Sequence, residues 1–543
     1  MPARALCLLL LAVSALPLAA REVSLVILHT TDLHSSVLPA VPANDPRSAA
    51  PAPANASAGP LGGFARVATA IRAVRAKERN VLWLDNGDTL EGNALGFLTR
   101  GAAIVRALNL LGCSSWTLGN HEFDWGLDAL APRMEEFKGD LLAANLRYEA
   151  PPGAASAIAR AFARVRPFVV REFEGVKVGV LGLTTPGIPS WSRPRLIPGL
   201  VVEDSLVALR RVVPQAKAAG CDVLVLTVHQ GLRPQGDDHA NQVAAIARGF
   251  PEIDAIIGGH SHQPFEEQRT GGVLYTQANY WGSHLGRIDL AWDPDARRVA
   301  SLKARLIPMD ASVPMDAEVL GALRGDLDRA GALLAGKVGE AAAPIDAAGG
   351  PKSPTPLHAL LCAAIAEAVE SRGGKVDAVL HGLLSDGKEG LPAGPVRMGD
   401  VWRIVPYENT VGVVELTRDQ LLSVLEENAS AYESPRFRGL WGLAMKVAPS
   451  RPRGERVVFL GDREGRTLPP DARVRLAANS YDLASGGQRW PRLRELADAP
   501  SSALVEYDFQ TRDALVEYLR RHSPLEPPAP AGWSVERAKP RGR

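Results

Sequence analysis

Residues 119–126 read GNHEFDWG, a polar interruption at the end of the apolar run that starts at Ser114. An amide (Asn120), an imidazole (His121) and a carboxylate (Asp124) stand side by side where a buried strand is ending. Such groups are not left in an apolar interior without partners. Their placement sets the question that the rest of the chain answers.

From residue 23 onward, short runs rich in Val, Ile and Leu alternate with helical patterns, the signature of a layered α/β structure. The expected strands are VSLVILHT (23–30), NVLWLDNG (80–87), SSWTLGN (114–120), KVGVLGLTT (177–185), CDVLVLTVH (221–229) and DAIIGGH (254–260). Between the first two, Phe64, Val67, Ala68, Ile71 and Val74 recur at helical spacing and predict a helix with one core face. Most of these strands end in residues able to hold a metal: HTTDLH, DNGD, GNHEFD, VHQG and GGHSH. In open α/β sheets the loops at the carboxyl ends of strands share one crevice, so these groups are expected to meet.

The collected set is Asp32, His34, Asp88, Asn120, His229, His260 and His262. Mixed oxygen and imidazole donors without thiolate suit divalent Zn, Mn, Fe, Co or Ni. One carboxylate, Asp88, is placed to bridge two ions, which would clamp the entering and leaving oxygens of an in-line displacement. Taken singly, each residue has an ordinary explanation: a strand-end histidine satisfied in the core, an Asp or Asn capping the next helix, an NGD turn. Chance does not readily give the ordered series, each member following an apolar run.

Composition limits the alternatives. A chain of 543 residues exceeds one ordinary core and predicts two sizeable domains. Lys+Arg 61 against Asp+Glu 60, with 46% hydrophobic residues, describes a soluble globular protein and gives no support for binding a nucleic acid polymer. Residues 1–20, MPARALCLLLLAVSALPLAA, join an early Arg4 to a short apolar stretch ending in small residues, the pattern of a secretory signal. The expectation is an exported protein, periplasmic or secreted, without a membrane anchor. Cys113, Cys221 and Cys362 would remain after cleavage, too few for a disulfide framework, although one bridge is open. The Pro/Ala-rich residues 35–63 read as a surface excursion. The expected organisation is a signal (1–20), a catalytic domain (21–310), a linker helix (311–345), a second mixed α/β domain (346–525) and a loose tail (526–543).

The stretches TDLH, GGFARVA, DNGDTLEGN, GNHEFDWG, LLAANL, VHQG, GGHSHQPF and LGRIDL, in this order, resemble the 5′-nucleotidase family of calcineurin-like metallophosphoesterases. The resemblance implies an N-terminal α/β/β/α sandwich and a C-terminal substrate domain. It implies that Asp32, His34, Asp88 and His262 hold one metal, and Asp88, Asn120, His229 and His260 the other. His121 would stay uncoordinated and face the substrate, paired with Asp124, to stabilise phosphoryl charge or protonate the leaving group. Ser35 departs from the family's glycine after the first metal histidine, which leaves ligation intact and predicts a changed pocket shape.

In the second half the likeness thins. GDVWRIVPYENTVGVVEL (399–416) resembles the segment that carries the family's first base-stacking ring, so Tyr407 is expected to stack and Asn409 to accompany it. YDLASGGQRWPRL (481–493) resembles the segment of the second ring, for which Trp490 is the candidate, with Gln488 and Arg489 replacing the common Asp-Gly. The family's arginine-bearing motifs are absent; His381 and His358 fall near their places and read as core histidines, while Lys352, Lys388 and Arg489 are the cations available as substitutes. Arginine grips phosphate bidentately, so its loss should redirect recognition. The expected activity is hydrolysis of nucleotides or nucleotide-derived esters and anhydrides by in-line attack of a metal-bound hydroxide. The alternatives are the same chemistry on another anionic ester, a sulfur ester included, or a non-catalytic binding protein on this fold; the second predicts a decayed ligand set, which the sequence does not show.

Overall fold

The computed structural model describes residues 22–536 apart from 40–60, 154–155, 351, 385–389, 433, 435 and 531. The expected signal, most of the Pro/Ala-rich excursion, Lys388 and the last seven residues lie outside the described residues.

Strands with β-branched residues on both faces need cover on both sides, and the N-terminal domain supplies it by stacking two sheets. Val23–Thr30, Val81–Asp85 and Ser115–Thr117 lie side by side and parallel in a seven-stranded sheet. Val176–Leu183, Val223–Val228 and Ala255–Ile257 form the parallel centre of a six-stranded sheet. Leu25, Ile27, Leu82 and Leu84 of the first pack against Val178, Val180, Val223, Val225 and Ile257 of the second in one buried layer. Helices Phe64–Arg75, Ala102–Leu110 and Leu127–Glu136 cover the outer face of the first sheet, and Ser205–Ala218 and Val243–Gly249 that of the second. The apolar stripe read from the sequence, Phe64, Val67, Ala68, Ile71 and Val74, is buried. The strands with polar ends are thus shared between two stacked sheets, and the crevice is the common edge of a sandwich rather than the lip of one open sheet.

Helix Ala317–Ala335 starts where the Asp316 carboxylate accepts from the Val319 amide. Val319, Leu323, Ala330 and Leu334 pack into the core of the first domain, and Trp402 of the second domain enters the same cluster. This segment is therefore part of the interface between domains. The second domain begins inside the stretch expected to be linker, because Lys337–Ala341 pairs with Gly394–Arg397. Its main sheet runs Gly439–Trp441, Ala378–His381, Arg473–Asn479, Thr410–Thr417, Val505–Gln510. Helices Pro356–Glu370 and Thr511–Arg521 lie on one face, Arg418–Ala429 and Pro491–Asp498 on the other.

The tail is a second correction: Trp533–Val535 is a strand pairing in parallel with Met445–Val447, and buried Trp533 explains why it docks. Cys113, Cys221 and Cys362 are all free thiols, so the bridge left open by the sequence does not form among them.

Candidate metal centre and its cover

Parallel strands deliver their carboxyl ends to one edge, and there the backbone departs from ordinary geometry. Asp32, His34, Asp88, His260 and His262 all have positive φ, from 48° to 67°. Non-glycine residues adopt that region at a free-energy cost and persist there when the surroundings fix them, which is typical of ligand-holding sites. Ligand-type atoms of Asp32, His34, Asp88 and His262 lie within 4.8 Å of one another, as do those of Asp88, His229 and His260. Asn120 Oδ1 is 2.8 Å from His260 Nδ1 and so joins the second group. Asp88 belongs to both.

The hydrogen bonds fix which histidine nitrogen is free. A carbonyl can only accept, so His34 Nδ1 donates to the Glu91 carbonyl at 2.6 Å and His229 Nδ1 to the Asn86 carbonyl at 2.7 Å. Each imidazole, when neutral, then presents a lone pair at Nε2, the arrangement usual for metal-bound histidine. His34 Nε2 faces His262 Nε2 at 3.1 Å. His229 Nε2 is buried without a hydrogen bond, 3.0 Å from Asp88 Oδ2. Acceptors turned toward acceptors in a buried space call for cations between them, and this donor set fits divalent ions. For two of the rings the local fields agree: burial lowers the His34 and His260 imidazoles to about 4 and about 3. Burial would lower His229 too, but Asp88 overrides it and raises that ring to about 9, so a metal held there would have to displace a proton from Nε2. Although burial alone would raise the Asp88 carboxyl, the surrounding histidines, His229 foremost, hold it well below the usual range.

His121 stands just outside the cluster. Its Nδ1 is 2.7 Å from Asp124 Oδ2 and 3.4 Å from Glu91 Oε2, and its amide donates to Asp88 Oδ1 at 2.8 Å. Burial opposes the charged ring, yet Asp124, Asp88 and Glu91 outweigh it and keep the imidazole well above its ordinary value. The opening stretch is thereby explained structurally: Asn120 points into the cluster and His121 lies beside it, held by Asp124. The Ser35 hydroxyl is buried and donates to the Leu90 carbonyl at 2.6 Å.

Three supports were not read from the sequence. Glu122, in the same GNHEFDWG stretch, is buried, and its carboxylate accepts from the Asp88 amide at 2.9 Å and the Thr89 amide at 2.7 Å. It also accepts from Gly119, where any Cβ would collide with Asp88 Oδ1. Asn86 Nδ2 donates to the Val228 and Ile257 carbonyls at 3.0 and 3.1 Å, tying the strand ends of the two sheets together. Tyr280 stacks on the His262 ring at 4.6 Å and 15°. A signal for the first two was present, since each is a polar residue inside an apolar-run ending.

The second domain covers this edge. Glu408 accepts from Trp125 Nε1 and lies 3.5 Å from Arg100, while Arg193 reaches Asp498 at 2.8 Å and Glu506 at 3.2 Å. Tyr407 is 46% exposed, an unusual position for a large aromatic ring, and lies within electrostatic reach of His121, Glu91, Arg489 and Arg438. Asn409 is half-buried beside it. Trp490 is a correction: at 1% exposure its indole belongs to the core with Leu493, Leu496 and Ala497, and the Arg438 guanidinium sits 4.7 Å from its centroid. It has no face to offer a base. The helical spacing of Trp490, Leu493 and Ala497 was the signal for this. Half-buried Tyr481, in the same segment, lies within electrostatic reach of Tyr407. His358 and His381 are buried, as expected of core histidines, and lowered by burial to about 4.

Residues 25–264 match the family model of the calcineurin-like phosphoesterases, and residues 337–495 match that of the 5′-nucleotidase C-terminal domain. The fold and the strand-end cluster thus define a two-domain calcineurin-like phosphoesterase. Among curated relatives, the trifunctional nucleotide phosphoesterase protein YfkN of Bacillus subtilis is 25% identical over 95% of this chain and 39% of its own length. The 5′-nucleotidase of Vibrio cholerae is 24% identical over 86% of this chain and 87% of its own. The crystal structure of a 5′-nucleotidase precursor from Thermus thermophilus shares the fold, with a TM-score of 0.71, 24% identity, and coverage of 95% of this chain and all of that one. The chain belongs to the 5′-nucleotidase family of calcineurin-like phosphoesterases.

Proposed function

We propose that the protein is an exported phosphoesterase with two divalent metals that hydrolyses nucleotides or nucleotide-derived phosphate esters and anhydrides. The observation that carries this is the convergence of Asp32, His34, Asp88, Asn120, His229, His260 and His262 into two donor groups sharing Asp88, beside the His121–Asp124 pair, which would stay uncoordinated. Asp32, His34, Asp88 and His262 would hold one ion, and Asp88, Asn120, His229 and His260 the other. When bound, two such ions supply Lewis acidity to the phosphoryl oxygens and an activated water for in-line attack.

The chain's own groups do the rest. Asp124 accepts a hydrogen bond from Nδ1–H of His121, which leaves Nε2 as the atom for the substrate, and the carboxylates around the ring favour its protonated form. A cationic imidazole donates to a phosphoryl oxygen as charge accumulates, or gives its proton to the departing alkoxide. Asp88 accepts the His121 amide, so the position of the proton donor is keyed to the shared carboxylate. Tyr407 and Tyr481 lie on the second domain's side of this site, where flat rings can hold a base by stacking. Asn409 offers an amide next to them. Export is supported by the signal pattern of residues 1–20, and no helix among the described residues is long and apolar enough to cross a membrane.

One observation favours a second reading. The family's arginines are absent from their usual segments, and the cations near Tyr407 are Arg438 and Arg489 from other segments, which suits an anionic ester of different shape, a sulfur ester included. A screen of metal-reconstituted protein against nucleoside mono-, di- and triphosphates, UDP-sugars, cyclic nucleotides and aryl phosphates separates the two. Nucleotide turnover supports the first reading; turnover of aryl phosphate alone supports the second; no turnover with any metal defeats both.

A further inference from the structure

Behind the metal ligands, the segment after strand Val176–Leu183 forms a short helix, Ile188–Ser190, and then Trp191. The Trp191 ring lies 5.0 Å from that of His260 at 37° and 6.2 Å from that of His239. Its other neighbour belongs to the second domain. A Cβ placed on Gly487 would collide with Trp191 Nε1, so the indole and the glycine are fitted to each other across the interface.

Hydrogen bonds fasten the same contact. Both the Gly487 amide and the Ser485 hydroxyl donate to the Ser190 carbonyl at 3.0 Å, and Arg494 donates to the Pro189 carbonyl at 2.5 Å. The loop so held is strained: Ser485, Gly486, Gly487 and Gln488 have φ of 88°, 53°, 71° and 63° in succession. Side chains at Ser485 and Gln488 disfavour that region, and such a run survives only where surrounding contacts determine it. Besides the loop's own bonds to Tyr481 and Asp482, the surroundings here include Ser190 and Trp191 across the interface. The next residue, Arg489, is exposed, and its guanidinium has no hydrogen-bond or ion-pair partner among the described residues. Its charge lies within electrostatic reach of Tyr407 and Tyr481.

We propose that Trp191 is a positioning residue for substrate specificity: packed on a metal ligand, it seats loop 485–489 so that Arg489 and Tyr481 meet the part of the substrate remote from the scissile phosphorus. This rests on the reading of the cluster as a phosphoesterase site. The substrate it fits has a flat ring and a polar or anionic group beyond the reacting phosphoryl group. A substrate lacking those parts gains little from the loop.

The test uses the metal-loaded full chain as wild type, Trp191→Ala, Trp191→Phe, Gly487→Ala and the Trp191→Ala/Gly487→Ala double variant. With AMP and methyl phosphate as probes, Trp191→Ala should raise KM for AMP about tenfold more than KM for the alkyl phosphate, with Trp191→Phe in between. Metal content should match wild type. Gly487→Ala should act in the same direction, and because the two positions touch, the double variant should fall well short of the product of the single effects. Independently of activity, hydrogen exchange of the 485–489 amides should quicken in Trp191→Ala. Unchanged exchange overturns the proposal, as do equal losses on both probes together with loss of metal, which would make Trp191 a support of His260 alone. If wild-type protein turns over neither probe, it is the phosphoesterase reading that fails, and the exchange result still decides whether Trp191 seats the loop.

Discussion

The two sides of the site are held in different ways. On the N-terminal side most of the donors are buried, and several are fixed by a second bond: His34 by the Glu91 carbonyl, His229 by the Asn86 carbonyl, and the Asp88 loop by Glu122. On the C-terminal side Tyr407 and Arg489 are exposed, and the loop beside them is joined to the other domain through the Ser190 carbonyl. Rigid burial suits chemistry, where a misplaced group loses rate steeply, whereas exposed rings and cations suit recognition, which can change without disturbing the reaction. The sequence differs accordingly: the donor series expected from the resemblance is complete, while the expected arginine motifs are missing.

Substitutions on each side should break or sharpen this contrast. The largest effect belongs to Asp88→Ala, which removes the carboxylate common to both donor groups. Metal analysis should show both ions lost or greatly depleted, with hydrolysis at the background rate. Next, His121→Ala should lower kcat by about 10²- to 10⁴-fold, the range of a general acid, while metal content stays near wild type. Loss of metal in that variant would end the division of labour between Asn120 and His121. Across the interface the effects should shrink and change kind. Tyr407→Ala should raise KM for nucleotides by about tenfold, since stacking on one base contributes ~1–3 kcal/mol, and should change aryl phosphate turnover less. Smallest at the site itself should be Trp490→Ala: denaturation should reveal a stability loss of about 3–5 kcal/mol from emptying a core position, with KM for nucleotides changed less than in Tyr407→Ala.

The sequence made the metal side readable because its donors interrupt apolar runs, and a polar residue at a buried strand end is conspicuous. Asp32, Asp88 and Asn120 each stand out in this way, and so does the helix stripe from Phe64 to Val74. What escaped depends on proximity in space. Spacing along the chain does not say which sheet a strand joins, so the expectation of two stacked sheets came from the family resemblance and not from the runs themselves. Trp191 lies in an unremarkable Pro- and Ser-rich stretch, and its value arises only from His260 and Gly487 on either side. Trp490 shows the opposite error, in which a familiar motif position outweighed the helical spacing that marks it as core. Burial decided between Trp490 and Tyr481, and burial is a property of the folded chain.

The central claim is a pair of ions gathered by this strand-end edge, and anomalous diffraction from crystals of manganese-loaded protein tests it most directly. Two peaks are predicted, one among Asp32, His34, Asp88 and His262, the other among Asp88, Asn120, His229 and His260. A single peak, or peaks elsewhere on the molecule, would contradict the account.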